Sequence, residues 1–449
     1  MILAICTLAA WAQETTSPWS AEVSGHLKAF GVVTAPVDHL LFADLSAISE
    51  DELTAAVVEG VVTGDWAAVD GIRLPKPTAT GQGITNARLN VVVRYGDMLR
   101  LEAAHMVSSV VAPPGTGLST SGFGSGVLVD APEAVDLTWQ ALDGGNHTLI
   151  GRTDRLALKA TAGQVDVTLG RQPVTFGSGM FFAPLDLVNP FFPTTIDTEY
   201  KPGIDALRVD TYIGGTGRIS AVGAYAGDWA ADGMSGALYG QATAAVTDLG
   251  LFVGWIRGDA VVGATTMTSV GPVALHADGA VTVPVETEEE PFFRGVLGAD
   301  YRPTGTTTLS GEAYVQTLGT TDPDRYLEQL SSDRFARGEL FTVGVAYLGL
   351  AVAQEITPTV MGSLAVLTNP VDPSALVIPN VSASIGDNTA IAVGAYAGVG
   401  ARPEVVGLSA VFATDGSPLD GAALSRAMGI RSEFGLYPVT AFTQLRTYF

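Results

Sequence analysis

Cysteine is almost missing from this sequence: Cys6 is the only one in 449 residues. A single thiol excludes a disulfide framework and a cysteine-built metal site. Charge is scarce too, at 15% of residues, where soluble domains average about 25%. Yet no stretch has the roughly 18 consecutive apolar residues of a membrane-spanning helix. Basic residues are few, 23 Lys and Arg against 46 Asp and Glu, for a formal net charge of −23. That balance excludes nucleic acid as a partner, which needs a basic face. The five histidines (His26, His39, His105, His147 and His276) are far apart, with no H-x-x-x-H pair for a metal. No G-x-S-x-G elbow occurs, and Gly122-Phe123-Gly124 lacks the strand-to-helix context of a dinucleotide site. The sequence therefore implies no cofactor, no metal and no catalysis. Only a barrel lipase built from distant Ser, His and Asn or Asp escapes this survey.

What the chain has instead is glycine, 53 residues of it, and period-two alternation. Ala87, Leu89, Val91, Val93 and Tyr95 share one face of a strand; Arg88, Asn90, Val92 and Arg94 share the other. Gly96-Asp97 turns the chain, and Leu99, Leu101 and Ala103 alternate with Arg100 and Glu102. The pattern returns at Ala21–Val33, Val165–Arg171, Ile204–Ile213, Phe293–Arg302 and Leu309–Gln316. Short turns are expected at Gly96-Asp97, Ala162-Gly163, Gly214–Gly217, Asp248–Gly250, Pro303–Gly305 and Gly386–Asn388. Long connections are expected at 34–81, 110–150, 173–203, 227–236, 259–291, 318–337 and 399–428. Alternating short and long connections are the signature of an outer-membrane barrel, with periplasmic turns and extracellular loops. The expected fold is all-β: a transmembrane antiparallel β-barrel over residues 21–449, of about sixteen strands, with fourteen and eighteen open. Around Pro438 the last segment reads as one bulged strand or two.

Met1–Ala12 is apolar and ends Ala10-Trp11-Ala12, which reads as a secretory signal without its basic start. A buried first strand and a lipoprotein anchor through Cys6 are the alternatives. In the 34–81 insertion, Ser49–Glu52 reads as a capping box before a short helix that stops at Gly60. Asp322-Pro323-Asp324 reads as the cap of a loop helix over Pro323–Leu330, rather than a calcium site. The chain ends Thr447-Tyr448-Phe449. A terminal Phe on an amphipathic strand resembles the signal read by the barrel assembly machinery.

The stretch from Gly170 to Asp210 organises the rest. Its loop, 173–203, carries five prolines and six aromatics. A loop that long is functional or disordered, and Phe181, Phe182, Phe191 and Phe192 are too apolar for disorder. It reads either as a constriction folded into the pore or as a cap on the barrel rim. Gly170-Arg171-Gln172, Phe176-Gly177, Pro184-Leu185-Asp186 and Asn189-Pro190 resemble a pattern in porin-like barrels related to the alginate-export family. The chain as a whole resembles a bacterial outer-membrane porin. That resemblance implies a Gram-negative outer membrane, with lipid and lipopolysaccharide outside and small hydrophilic solutes within. It also implies a transverse field between a basic wall and an acidic loop. General porins of this strand number are commonly homotrimers.

If polar faces line the lumen, the wall carries Arg88, Arg94, Arg100, Arg155, Lys159, Arg171, Arg208, Arg294, Arg302 and Arg446, with Glu102, Asp166, Asp210, Asp300 and Glu312. The loop adds Asp186, Asp197, Glu199 and Lys201. The function expected is passive diffusion of ions and small hydrophilic solutes. A substrate-selective channel for an oligosaccharide or organic acid is the first alternative. A non-conducting surface barrel, plugged by 34–81 and 110–150, is the second.

Overall fold

The computed structural model describes residues 17–38, 48–72, 78–113, 132–188, 199–404 and 406–449. The signal-peptide reading, Cys6, His39, Asn189-Pro190 and Asp197 lie outside these residues.

Period-two alternation produces one continuous antiparallel sheet of nineteen strands. The first strand, β1 (Trp19–Ala35), pairs with β2 (Thr80–Tyr95) on one side and with the last, β19 (Val439–Tyr448), on the other. That second pairing closes the sheet, so neither β1 nor β19 is a free edge. Strand β3 (Leu99–Val111) pairs directly with β5 (His147–Ala162). Strand β4 (Thr138–Gly144) is therefore outside the ring sequence, pairing only the upper part of β5. The closed wall has eighteen strands, nineteen less β4.

The count exceeds the expected sixteen for a definite reason. Residues 259–291, expected as one long loop, form the wall hairpin β11 (Asp259–Val270) and β12 (Val273–Pro284). Two smaller corrections follow. Asp248–Gly250 lies inside β10 (Thr247–Ile256), and the turn before it is Ala245-Val246, with Ala245 at φ 57°. The 227–236 connection is short, because β8 (Gly217–Tyr225) and β9 (Met234–Ala244) nearly meet there. At the chain's end, Phe434–Leu436 is a 3₁₀ turn and a single strand, β19, follows Pro438.

Alternation also decides which face meets what. Leu27, Leu89, Leu101, Leu158, Leu169, Leu207, Leu238, Leu251, Leu297, Leu350 and Leu445 are all about 40–70% exposed and point outward. Such a belt is far larger than any apolar patch a soluble monomer exposes. The inward phase is the buried one, and it carries Lys28, Asn86, Arg88, Asp166, Asp210, Asp278 and Glu312.

Both termini and the turns at 96–98, 162–164, 214–216, 245–246, 271–272, 305–306 and 387–388 share one end. The other end bears the long connections. There the helix Glu50–Thr63 continues past Gly60 to a left-handed Gly64 cap, and Ser49 makes no side-chain cap. Trp66 beside it stacks on Phe412 at 6.2 Å. The loop helix after Asp322 forms as expected: Asp322 accepts from the Asp324 amide, and Tyr326–Leu330 is helical.

Candidate functional site: a loop anchored across the lumen

The loop between β6 (Val165–Gln172) and β7 (Ile204–Ile213) is held against inward-facing residues. Its outgoing limb is apolar. Val174, Phe176, Leu185, Leu187 and Val188 are at most 5% exposed and pack with Val222, Tyr239, Phe252, Val261 and Ala280 of β8 to β12. Each such side chain contributes about 1.5–3 kcal/mol when fully buried. Two wall glycines make the close approach possible. A Cβ at Gly263 would lie 2.4 Å from Leu185 Cδ2, and one at Gly349 would lie 2.5 Å from Phe181 Cδ2. Gly349 sits on β15 (Ala346–Thr357). Phe182 stacks on Tyr314 of β14 (Thr307–Gln316) at 4.6 Å.

Two wall carboxylates hold this limb by its backbone. Asp278 accepts from the Ser178 amide at 2.6 Å, the Ser178 hydroxyl at 2.8 Å and the Gly179 amide at 3.3 Å. Glu312 accepts from the amides of Met180, Phe181 (2.9 Å) and Phe182 (3.1 Å). His276 Nε2 lies 3.0 Å from the same carboxylate. Successive amides converging on an anion form a strong anchor, because each bond is charge-assisted.

The return limb docks on the opposite wall. Glu199 Oε2 lies 2.7 Å from Lys28 Nζ of β1 and accepts from the Tyr448 hydroxyl of β19 at 2.7 Å. The Tyr200 ring stacks on His26 at 5.3 Å, and the Arg88 guanidinium lies 4.3 Å from its centroid. Lys201 Nζ pairs with Asp186 and donates to Thr175 Oγ1 at 2.9 Å, tying the two limbs together. Arg155 donates to the Lys201 carbonyl. A bulge opposite Ala104-His105 leaves Asp154 without a register partner. Its carboxylate accepts from Arg88 at 2.7 Å and from Arg155 at 3.3 Å.

Burial shapes the loop's own titration. It pushes the Asp186 carboxyl up to about 6, against the pull of Lys201. It lowers the Lys201 ammonium against the pull of Asp186. Burial also works against the Glu199 carboxylate, but the hydrogen bonds from Lys28 and Tyr448 outweigh it and hold Glu199 below its ordinary range.

Of the residues read from the sequence, Arg88, Arg94, Arg100, Glu102, Arg155, Lys159, Asp166, Arg208, Asp210, Arg294 and Glu312 take the lumen phase. Several form ion pairs towards the short-turn end: Arg94–Glu22 (3.1 Å), Arg100–Glu102 (3.0 Å), Lys159–Asp166 (2.6 Å) and Arg208–Asp210 (2.8 Å). Glu312 is no free pore charge, since the loop amides and His276 take its oxygens. Arg294 is covered at the other end, where it donates to the Glu339 carbonyl at 3.1 Å. Arg171 corrects the reading outright. It alternates with outward Leu169, not with Asp166 and Thr168, and pairs with Asp205 (2.8 Å) and Glu133 (3.0 Å). It also donates to Thr153 O and Val135 O, closing the seam where β6 ends and β4 begins.

The expected acidic loop facing a basic wall is also revised. Asp186 and Glu199 are each paired with a lysine. Arg446 makes no ion pair among the described residues. It lines an open cavity of about 610 Å³ with Gln444, Tyr448, Glu199 and Asp387. His26, Lys28, Tyr200, Asp278 and Tyr448 were not singled out as lumen residues. The signal for Lys28 was its even phase with His26 and Phe30 in the first strand.

No protein-family model matches this sequence, and no curated protein does. Solved structures do match. The outer membrane protein OpdK of Pseudomonas aeruginosa is 10% identical, with 96% of this chain and 98% of that one covered at a TM-score of 0.50. The same OpdK, solved with vanillate, is 9% identical over the same shares at 0.51. OccAB2 of Acinetobacter baumannii is 8% identical over 96% of this chain and 98% of that one, at 0.50. At these identities the likeness is one of fold.

Proposed function

We propose that this protein is a channel of the bacterial outer membrane through which small hydrophilic solutes diffuse. The carrying observation is the loop 173–203, anchored on Asp278 and Glu312 at one wall and on Lys28 and Tyr448 at the other. A barrel that only fills a membrane has no need of a strap across its lumen. The apolar outer belt supports a lipid and lipopolysaccharide surround, and the fold likeness to outer-membrane proteins agrees with it. In this reading the short-turn end faces the periplasm, the loop is the constriction, and the 34–81 insertion is extracellular. Assembly machinery reads β19 and its terminal Phe449. Catalysis has no part in it.

Selectivity is the second element of the reading. Lys28, Arg88, Arg155 and Lys201 gather where the loop meets the wall, and Arg446 stands in the cavity beside them. Cations at a constriction favour anionic solutes despite a net charge of −23. Vanillate, the molecule seen with OpdK, is such an anion. Alginate export is supported by the 170–190 motif alone.

Single-channel conductance of the refolded protein in a planar bilayer, with the reversal potential under a KCl gradient, tests this. Ohmic steps with a chloride-selective reversal potential are expected. Absence of steps from folded, heat-modifiable protein would move the reading to a plugged surface barrel.

A further inference from the structure

His26, Lys28 and Arg88 stand side by side on β1 and β2, each at most 3% exposed. Register sets His26 opposite Arg88 and Lys28 opposite Asn86. The three make a cationic cleft in the lumen wall. Two successive loop residues fill it. The Glu199 carboxylate sits 2.7 Å from Lys28 Nζ, and the Tyr200 ring stacks on His26 with Arg88 4.3 Å from its centroid. Together they present a carboxylate beside a planar ring, as a bound organic anion would.

Their setting differs from that of the outgoing limb. Val174, Phe176 and Leu185 are fully buried in an apolar cluster. Tyr200 is 37% exposed and the Glu199 side chain 32%. Glu199 borders the open cavity that holds Arg446. An ion pair and a ring stack next to open space are contacts that a solute can replace one for one. The exchange is close to neutral in free energy, because the carboxylate and ring lost are matched by those gained.

We propose that Glu199 and Tyr200 are an internal occupant of a lumenal solute site, and that ring-bearing anions permeate by displacing them. The inference rests on the channel reading above. Lys28, Arg88 and His26 are then the site, and the loop dipeptide is its built-in competitor. A small anion without a ring replaces the Lys28 contact but not the stack.

The test compares wild type with the Glu199→Gln/Tyr200→Ala double variant in planar bilayers, using benzoate and acetate as probes. With the competitor gone, the variant should conduct chloride about twofold better. Its midpoint for benzoate block should fall about tenfold, equal to about 1.4 kcal/mol, and its acetate midpoint should move less. Adding Lys28→Gln to the double variant should raise the benzoate midpoint again, which a merely widened pore would not do. Equal conductance and equal benzoate block in variant and wild type would overturn the proposal. An acetate shift as large as the benzoate shift would overturn the ring's part in it. Heat-modifiable mobility checks folding, and Glu199→Gln alone carries the same comparison if the double variant does not fold. No conductance from any folded form would overturn the channel reading and this proposal with it.

Discussion

Glu312 of β14 accepts the backbone amide of Phe182 at 3.1 Å, across 130 residues of sequence. The same carboxylate takes the Met180 and Phe181 amides. A side chain read as a pore charge is thus the peg on which the loop hangs. Glu312→Ala would strand these amides, at about 1–3 kcal/mol for each buried donor left unpaired. The wall itself keeps its ladder bonds. The expected result is a barrel that remains heat-modifiable while its loop detaches, seen as larger and noisier unitary conductance and faster proteolysis near Met180. Glu312→Gln keeps one acceptor oxygen and should show a weaker form of the same change. Unaltered conductance in Glu312→Ala would mean that the loop is held elsewhere.

The glycines under the loop allow a steric version of that experiment. A Cβ at Gly349 meets the Phe181 ring at 2.5 Å, whereas a Cβ at Gly223 on the outer face of β8 meets nothing within 4 Å. Gly349→Leu should therefore expel Phe181 and raise conductance as Glu312→Ala does, without changing any charge. Overpacking of this kind typically costs about 1–3 kcal/mol. Gly223→Ala should leave conductance where it is.

The same packing explains what the sequence concealed. The β2–β3 hairpin was legible because Arg88, Arg94, Arg100 and Glu102 mark its inner face against outer leucines. The β11–β12 hairpin was not. Its inner face carries Val261, Gly263 and Ala280, which meet Leu185 and Phe176 rather than water. Where a loop packs on the wall, both faces of a strand are apolar or small and period two fades. The site failed at the same place. Asp278 lies in the unseen hairpin, and Lys28 sits in a strand whose neighbours Phe30 and Val32 are also inward and apolar. Arg171 failed for another reason: the alternation of Val167 and Leu169 already placed it outward, and its charge overrode that phase.

Asp186 gives a pH dependence with a definite sign. Burial raises its carboxyl from the ordinary 3.8 to about 6. The folded loop therefore binds this proton more tightly than the unfolded chain does. Stability from this group is fully present below about pH 4 and is lost as pH rises through about 6. The thermal midpoint should fall between pH 4 and pH 6 by more in wild type than in Asp186→Asn, which has no such group to titrate. Identical slopes in the two proteins would show that Asp186 titrates in its ordinary range.

Arg171 separates wall from lumen. Its guanidinium is 2% exposed and answers Asp205, Glu133 and two backbone carbonyls at the seam between β6 and β4. Arg171→Gln leaves two carboxylates facing one another without their cation. Breaking a buried pair in this way costs about 3–5 kcal/mol. The variant should therefore lose heat-modifiability at lower temperature and yet keep the wild-type reversal potential, because no lumen charge has changed. Arg446→Gln should do the reverse. That residue makes no ion pair among the described residues and borders the open cavity. Its loss should shift the reversal potential towards cation preference with little change in stability. If Arg171→Gln shifted the reversal potential as Arg446→Gln does, its charge would have to reach the pore, and the outward phase set by Leu169 would be wrong at that residue.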